Sequence, residues 1–409
     1  MSAFKHIYEQ LFEDASFLWI LHSAAANRPN YCLHDLAELE QRINRQLAAL
    51  MTMPELTWDL CLEFMPQQQP EYLFVAAFFA FNNQDIQQIQ QCVEQGLVDA
   101  AGTKALASAL AWLPSEVSQP WLKKFLVSKD LQHKHLAIWA CSLRREDPFE
   151  YLAPIVNRTD CRAYAPLFAR ALRLIGELKY RNLMPILPAA IQSDNDDIKF
   201  WALWAMILLG DKSAAQQLQS FVFESNDYQL LAINVAFSVL PNTDAQQWIN
   251  SLAKNPDNRR LVIMAAASLG DPLVCDWLIG QMQNPITARL AGEAFTQITG
   301  MDLIAHKVAA QEADQNKIPN DEDDEAEEYF EDEGLPYPDA EKIAALWANS
   351  KHQFTFGARY FMGQFPEREA LKKTYIEGTQ RQRKVAALEL ALLDIDQPLL
   401  NFAISNIAR

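Results

Sequence analysis

Few residues of this chain have a type and spacing that could do chemistry. The seven histidines are His6, His22, His34, His133, His135, His306 and His352, and only His133-Lys134-His135 makes a close pair. Positions i and i+2 of a helix do not share a face, so a zinc site on that pair would need a loop and distant ligands. A solvated helix start is the simpler reading. Cys32, Cys61, Cys92, Cys141, Cys161 and Cys275 are scattered without a C-x-x-C pair, and read as buried free thiols of a reducing compartment. The glycines stand singly, which leaves no phosphate-cradling loop. No Ser-His-Asp, Cys-His or G-x-S-x-G arrangement is legible. The expectation is a protein with no catalytic residue, cofactor or metal.

Charge is a better guide to binding. Arg162, Lys199, the pair Arg259/Arg260 and the pair Arg381/Arg383 fall at comparable helix starts, with Asp160, Asp196 and Asp257 just before three of them. One reading is an inter-repeat ladder of caps and ion pairs; the other is a basic stripe facing an acidic protein partner. Between Asp321 and Asp339 there are eleven acidic residues and no Lys or Arg, so this stretch alone carries −11 of the net charge of −17. Such a block cannot bury enough apolar surface to order itself, and reads as a solvated linker. Its aromatic residues offer a second reading. Tyr329-Phe330, flanked by Asp323, Asp324 and Glu325, and Leu335-Pro336-Tyr337-Pro338 could dock into a groove on a basic partner. Deleting Asp321–Asp339 should leave the melting temperature unchanged while partner binding weakens.

The totals narrow the class. The charge, 35 − 52 = −17, speaks against nucleic acid and anionic membranes as partners. The longest apolar runs, Tyr72–Phe81 and Phe200–Leu209, are ten residues each, where a membrane span needs ~20. The apolar run Phe17–Leu21 is too short for a signal-peptide core. A cytoplasmic protein is expected.

The elements that would position these residues repeat. Breaks fall at Asn83, Ser115, Asp147, Glu177, Asp211, Asn242, Asp271 and Asp302, with differences of 32, 32, 30, 34, 31, 29 and 31. A period in this range signals stacked supersecondary units. Gly176, Gly210, Gly270 and Gly300 stand where a first helix must end. Asp147, Asp211 and Asp271 are candidate N-caps for the second, with Pro148 and Pro272 at its first position. First helices such as 198-IKFWALWAMILLG and 261-LVIMAAASLG are apolar nearly all round, as a helix buried between neighbours must be, whereas 214-AAQQLQSFVF and 273-LVCDWLIGQM are amphipathic. No T-P-L-H and no W-x-x-L-G-x-x-Y occurs, which sets aside ankyrin and tetratricopeptide units. The expected fold is all-α, an α-solenoid of HEAT-like helix pairs with a period of about 31 residues.

Residues 1–66 fall outside the period and read as a helical N-terminal cap, with Leu11, Ala15, Leu18 and His22 on one stripe and Leu36, Leu39, Ile43, Leu47 and Leu50 on another. Residues 67–311 are the repeats, 312–340 an acidic flexible linker, and 341–409 a C-terminal repeat-like region. In that last part Asp394/Asp396 form a break and Pro398 starts a further helix.

Three stretches carry a resemblance: 15-ASFLWILHSAAANRPNYCLHDLAELEQRINRQLAAL, 292-GEAFTQITGMDL before the acidic stretch, and 354-FTFGARYFMGQ with 378-GTQRQRKVAALELAL. Together they resemble a bacterial family of HEAT-like proteins associated with type VI secretion, encoded near its spike proteins and effectors. At the turn where that family carries glycine, this chain has 50-LMTMPEL. The resemblance implies a non-catalytic accessory, either an adaptor or chaperone for effector loading or an immunity protein against a secreted toxin. The protein partner would be an effector, a toxin or a spike component. A lyase or hydrolase on the same fold is the enzymatic alternative; a deep pocket lined by paired titratable groups would mark it.

Overall fold

The computed structural model describes residues 2–310 and 332–405, and every regular element among them is helical. The helices of ten or more residues are α1 (Ser2–Ala25), α2 (Leu33–Leu50), α3 (Pro54–Phe64), α4 (Pro70–Asn83), α5 (Ile86–Gly96), α6 (Ala100–Trp112), α7 (Ser115–Val127), α8 (Leu131–Arg144), α9 (Ala165–Leu178), α10 (Asp196–Leu208), α11 (Gln229–Val239), α12 (Asn242–Leu252), α13 (Arg259–Leu269), α14 (Pro285–Thr299), α15 (Ala340–Ser350), α16 (Arg368–Glu377) and α17 (Gln380–Leu393). The chain divides into two compact units. One comprises residues 1–27, 33–205 and 396–409, the other residues 28–32 and 206–395.

In the first unit, α4 packs on α6, α6 on α8 and α8 on α9. α4 buries Leu73–Ala77 and Phe79–Phe81 on all sides, and proline starts it at its first turn. α5 buries only Ile89, Cys92, Val93 and Gly96, and Asp85 caps it by accepting from the amides of Gln87 and Gln88. The alternation of all-round apolar and one-faced helices follows the sequence pattern. α1 packs on α2, α3 and α4, and all five residues of the expected α2 stripe are buried.

The second unit repeats the arrangement, with α11 on α13 and α13 on α14. Its core gathers Leu278, Phe295, Ile298, Ile343, Trp347 and Tyr360. The turn-rich 354–363 segment is part of this unit. The amide of Tyr360 donates to the carbonyl of Gly270 (2.8 Å), Met362 to Gln297 (2.6 Å) and Gly363 to Ile298 (3.1 Å). The segment therefore satisfies carbonyls at the C-terminal ends of α13 and α14 that no helical amide can reach. Arg359 fixes it further, donating to the Ser268 carbonyl (2.9 Å) and pairing with Glu389 of α17.

Several expectations are corrected. Gly176 does not end a helix: α9 continues to Leu178, and Lys179 takes the left-handed position at φ 61°. Glycine at 176 is required by packing, because a Cβ there would lie 2.9 Å from the Ala205 Cα and from the Trp204 ring. Glu177, read as a break, lies within the last turn of α9. Asp147 accepts from the Tyr180 hydroxyl, while the 3₁₀ turn after it, Phe149–Tyr151, opens on Pro148 with no side-chain cap. Residues Lys212–Leu218 and Pro272–Val274 are 3₁₀, so those second helices become α-helical only at Gln219 and Cys275. No helix follows Pro398 among the described residues. Of the acidic stretch, residues 332–339 are described and packed. Ala310 donates to the Tyr337 carbonyl (2.8 Å) and Asp339 to that of Val308 (2.9 Å), while Leu335 and Pro338 are buried. Deleting 321–339 would remove this packing, so an unchanged melting temperature is no longer expected.

Candidate functional site

The residues singled out by charge go to different places. Tyr329, Phe330, Asp323, Asp324 and Glu325 lie outside the described residues. Arg162 is exposed, its Nε donating to the Val156 carbonyl at 2.6 Å, and Lys199 is half-buried in the first turn of α10. Arg383 is fully buried at 0% exposure: its Nε donates to the Tyr375 carbonyl (2.9 Å), and its guanidinium lies 5.2 Å from the Tyr375 ring. A side chain so placed holds α16 to α17 and does not stand on a surface stripe. Tyr337, read as part of a docking arm, instead lies 5.8 Å from the Arg289 guanidinium of the same unit.

Arg260 and Arg381 are brought together, but on a carboxylate of their own chain. Asp332, whose side chain is 2% exposed, accepts from Arg260 Nη1 (2.5 Å) and Nη2 (3.2 Å) and from Arg381 Nη2 (3.2 Å). Arg381 Nη1 donates to Glu293 Oε2, while Glu293 Oε1 is buried without a hydrogen bond. α13, α14 and α17 thus each contribute one side chain to a network closed by Asp332. Burial pushes the Glu293 carboxyl up, and Asp332 adds to the effect against the pull of Arg381. Both guanidiniums are thus engaged by carboxylates of their own unit.

The first unit holds a second network. Glu177 Oε1 accepts from Arg173 Nε (2.7 Å) and lies 3.1 Å from Arg145 Nη1, and Oε2 accepts from the Ser142 hydroxyl (2.5 Å). Residues 396–405 run past the same helix ends. The Leu399 amide donates to the Glu177 carbonyl (2.8 Å), Arg145 Nε to the Leu399 carbonyl (3.2 Å) and Asn401 Nδ2 to the Leu143 carbonyl (2.7 Å). Further on, the Ser405 amide donates to Glu40 Oε1 (2.8 Å) and its hydroxyl to Oε2, and His22 Nε2 lies 3.3 Å from Oε1. Sequence reasoning missed Glu40, Glu177, Glu293 and Asp332. A signal was present for two of them: Glu177 and Glu293 interrupt apolar helical faces, and a charge placed there needs a partner.

Both first-unit carboxylates are held below the usual range. Burial alone would raise Glu177, but Arg145, Arg173 and the Ser142 hydroxyl outweigh it. For Glu40, burial is outweighed by His22 and by the Ser405 hydroxyl and amide. A depressed folded-state value stabilises above the unfolded value of about 4.3 and is lost as pH falls through the folded one. Glu177→Gln is therefore expected to lower stability by about 3 kcal/mol at pH 7 and to flatten the loss of stability on acidification. Urea unfolding at pH 7 and below pH 4 checks both; an unchanged acid slope counts against the assignment.

Nucleophilic chemistry finds little support in these groups. Burial pushes the Cys92 and Cys141 thiols up to about 12, and raises Cys61, Cys161 and Cys275 as well, so these thiols stay protonated. Burial and then Arg170 lower His135 to about 4, which leaves it neutral near pH 7. Among the described residues, no three His, Cys, Asp or Glu side chains are grouped to hold a metal, and no helix is long and apolar enough to cross a membrane. What the first unit does present is a line of acceptors and donors that holds main chain. In comparisons with known proteins, the chain matches no family model and no curated protein.

Proposed function

We propose that the protein is a non-catalytic protein-binding scaffold, an α-solenoid of HEAT-like helix pairs stepping about every 31 residues. It works in the cytoplasm as an adaptor or chaperone that loads a type VI secretion effector. The reading is supported above all by the lie of residues 396–405. A non-helical stretch of polypeptide is held by helix-end carbonyls, Arg145 and Glu40, the groups a repeat surface offers to a protein. The packing of α4, α6, α8 and α9 on successive neighbours also supports it.

The net charge of −17 favours a second reading, an immunity protein whose acidic surface occupies a cationic active site. Tagged protein expressed in its native host separates the two. An adaptor co-purifies with an effector or spike component and gives no protection. An immunity protein binds one toxin domain and rescues cells that express it. Recovery of neither class from secretion-active cells would sink both readings.

A further inference from the structure

We propose that the groove of the first unit holding residues 396–405 is a peptide-binding site occupied in cis. Its occupant in trans is a segment of a protein partner with the same recognition pattern. That pattern is an acidic residue, a leucine three positions on, an asparagine five on, and a serine or threonine nine on. The inference rests on the protein-binding reading and adds to it the site and the chemistry of the segment bound.

Each position of the pattern has its receptor. Asp396 lies 3.5 Å from Arg181 Nη1. Leu399 is buried and engages the groove through both its amide and its carbonyl. Asn401 reaches the Leu143 carbonyl, and Ser405 gives both its donors to the Glu40 carboxylate. Leu399, Asn401 and Ser405 are buried, and the chain turns between the last two, where the Ala403 amide donates to Asn401 Oδ1 at 3.3 Å.

The contact is built to open. Leu399 is the most buried apolar side chain between residues 396 and 405, and Leu400, Phe402, Ala403 and Ile404 are half-buried. The carbonyls of Leu143 and Glu177 belong to the last turns of α8 and α9, so water can replace the tail there without disturbing either helix. Glu40 released from Ser405 regains water. Glu177 keeps Arg145, Arg173 and Ser142 whether or not the tail is present. Hydrogen bonds to helix ends that water can replace mark a segment of low local stability. The cis tail also lowers the apparent affinity for a partner by the fraction of time it occupies the groove.

The test uses the full chain. A fluorescent peptide of residues 394–409 is titrated into the wild type, into Leu399→Asp/Ser405→Ala, and into the same double variant carrying Glu40→Gln. Binding at least tenfold tighter to the double variant than to the wild type is expected, and its loss with Glu40→Gln. Equal binding to the wild type and double variant, or none to either, overturns the proposal. Light scattering of the wild type is read alongside: a dimer that the peptide dissolves assigns the groove to a second copy and overturns the partner segment.

Hydrogen exchange of the wild type keeps the test independent of variant folding. The amides of Leu399 and Ser405 should exchange at least 100-fold faster than those within α8 and α9. Exchange of these amides only with global unfolding makes the tail a fixed brace, and the proposal fails. Failure here leaves the scaffold reading standing, since a host partner can still be recovered through another surface. Failure of the host experiment with peptide binding intact rejects the secretion role alone.

Discussion

Gly300→Ala is expected to destabilise the second unit by roughly 2–5 kcal/mol, among the largest effects of any single methyl in this chain. Two costs add. Gly300 ends α14 at φ +70°, a left-handed conformation that a Cβ disfavours by about 1–2 kcal/mol. The added Cβ would also lie 2.5 Å from the Met362 carbonyl oxygen, a backbone atom fixed by the bonds from Met362 and Gly363 to Gln297 and Ile298. Nothing there can rotate out of the way. Gly270 has the same two faults, with φ +74° and the Tyr360 carbonyl oxygen at 2.4 Å.

Two other glycines separate the costs. Gly357 has φ +82° and open space around it, so alanine there should cost about 1–2 kcal/mol from strain alone. Gly280 lies within the helix Cys275–Gln281 with nothing within 4 Å, and alanine there should stabilise by about 0.5–1 kcal/mol. Denaturant unfolding read by tryptophan fluorescence orders the four variants. A Gly300→Ala cost no larger than that of Gly357→Ala would show that the 360–363 segment yields, and the clash argument would fail.

These glycines also show how far the sequence reveals the helix ends. Gly210, Gly270 and Gly300 were legible because glycine is the cheap residue for a left-handed C-cap, and all three take positive φ. Gly176 misled because a glycine needed for close helix approach looks the same in a sequence as one needed for a turn. The residues that end α4, α8 and α9 in left-handed conformations are Gln84, Arg145 and Lys179, which carry no such signal. Arg145 tolerates the strain because its guanidinium is held by the Leu399 carbonyl and Glu177. That compensation comes from a residue 254 positions away and is invisible in a local window.

The candidate site was legible in its residue types but not in its partners. Arg260 and Arg381 were picked out by their place at helix starts, yet a stripe and an internal ladder have the same spacing. Only the position of Asp332 decides between them, and Asp332 is one of eleven acidic residues in its stretch. Pro398 misled for a related reason. Proline fixes φ for a first helical turn and for an extended chain alike, and here the amide and carbonyl of Leu399 are taken by groups on α8 and α9.

Asp332→Ala should cost about 3–5 kcal/mol, because it leaves two partly buried guanidiniums without their carboxylate. The loss is not shared equally. Arg381 keeps Glu293, whose carboxyl is raised by burial and by Asp332 itself; with Asp332 gone that second cause is removed and the Glu293 carboxyl falls toward its ordinary range.

The sign of the pH effect follows from the same groups. A raised folded-state carboxyl favours the fold while protonated, and that advantage is lost as pH rises through its folded value. In Asp332→Ala the folded value of Glu293 falls, so the variant gains relative to the wild type as pH rises. The cost of the substitution should thus shrink as pH rises from the unfolded carboxyl value of about 4.3. A cost independent of pH would mean that Glu293 does not answer for Arg381. A cost below about 1 kcal/mol would mean that water already screens the network.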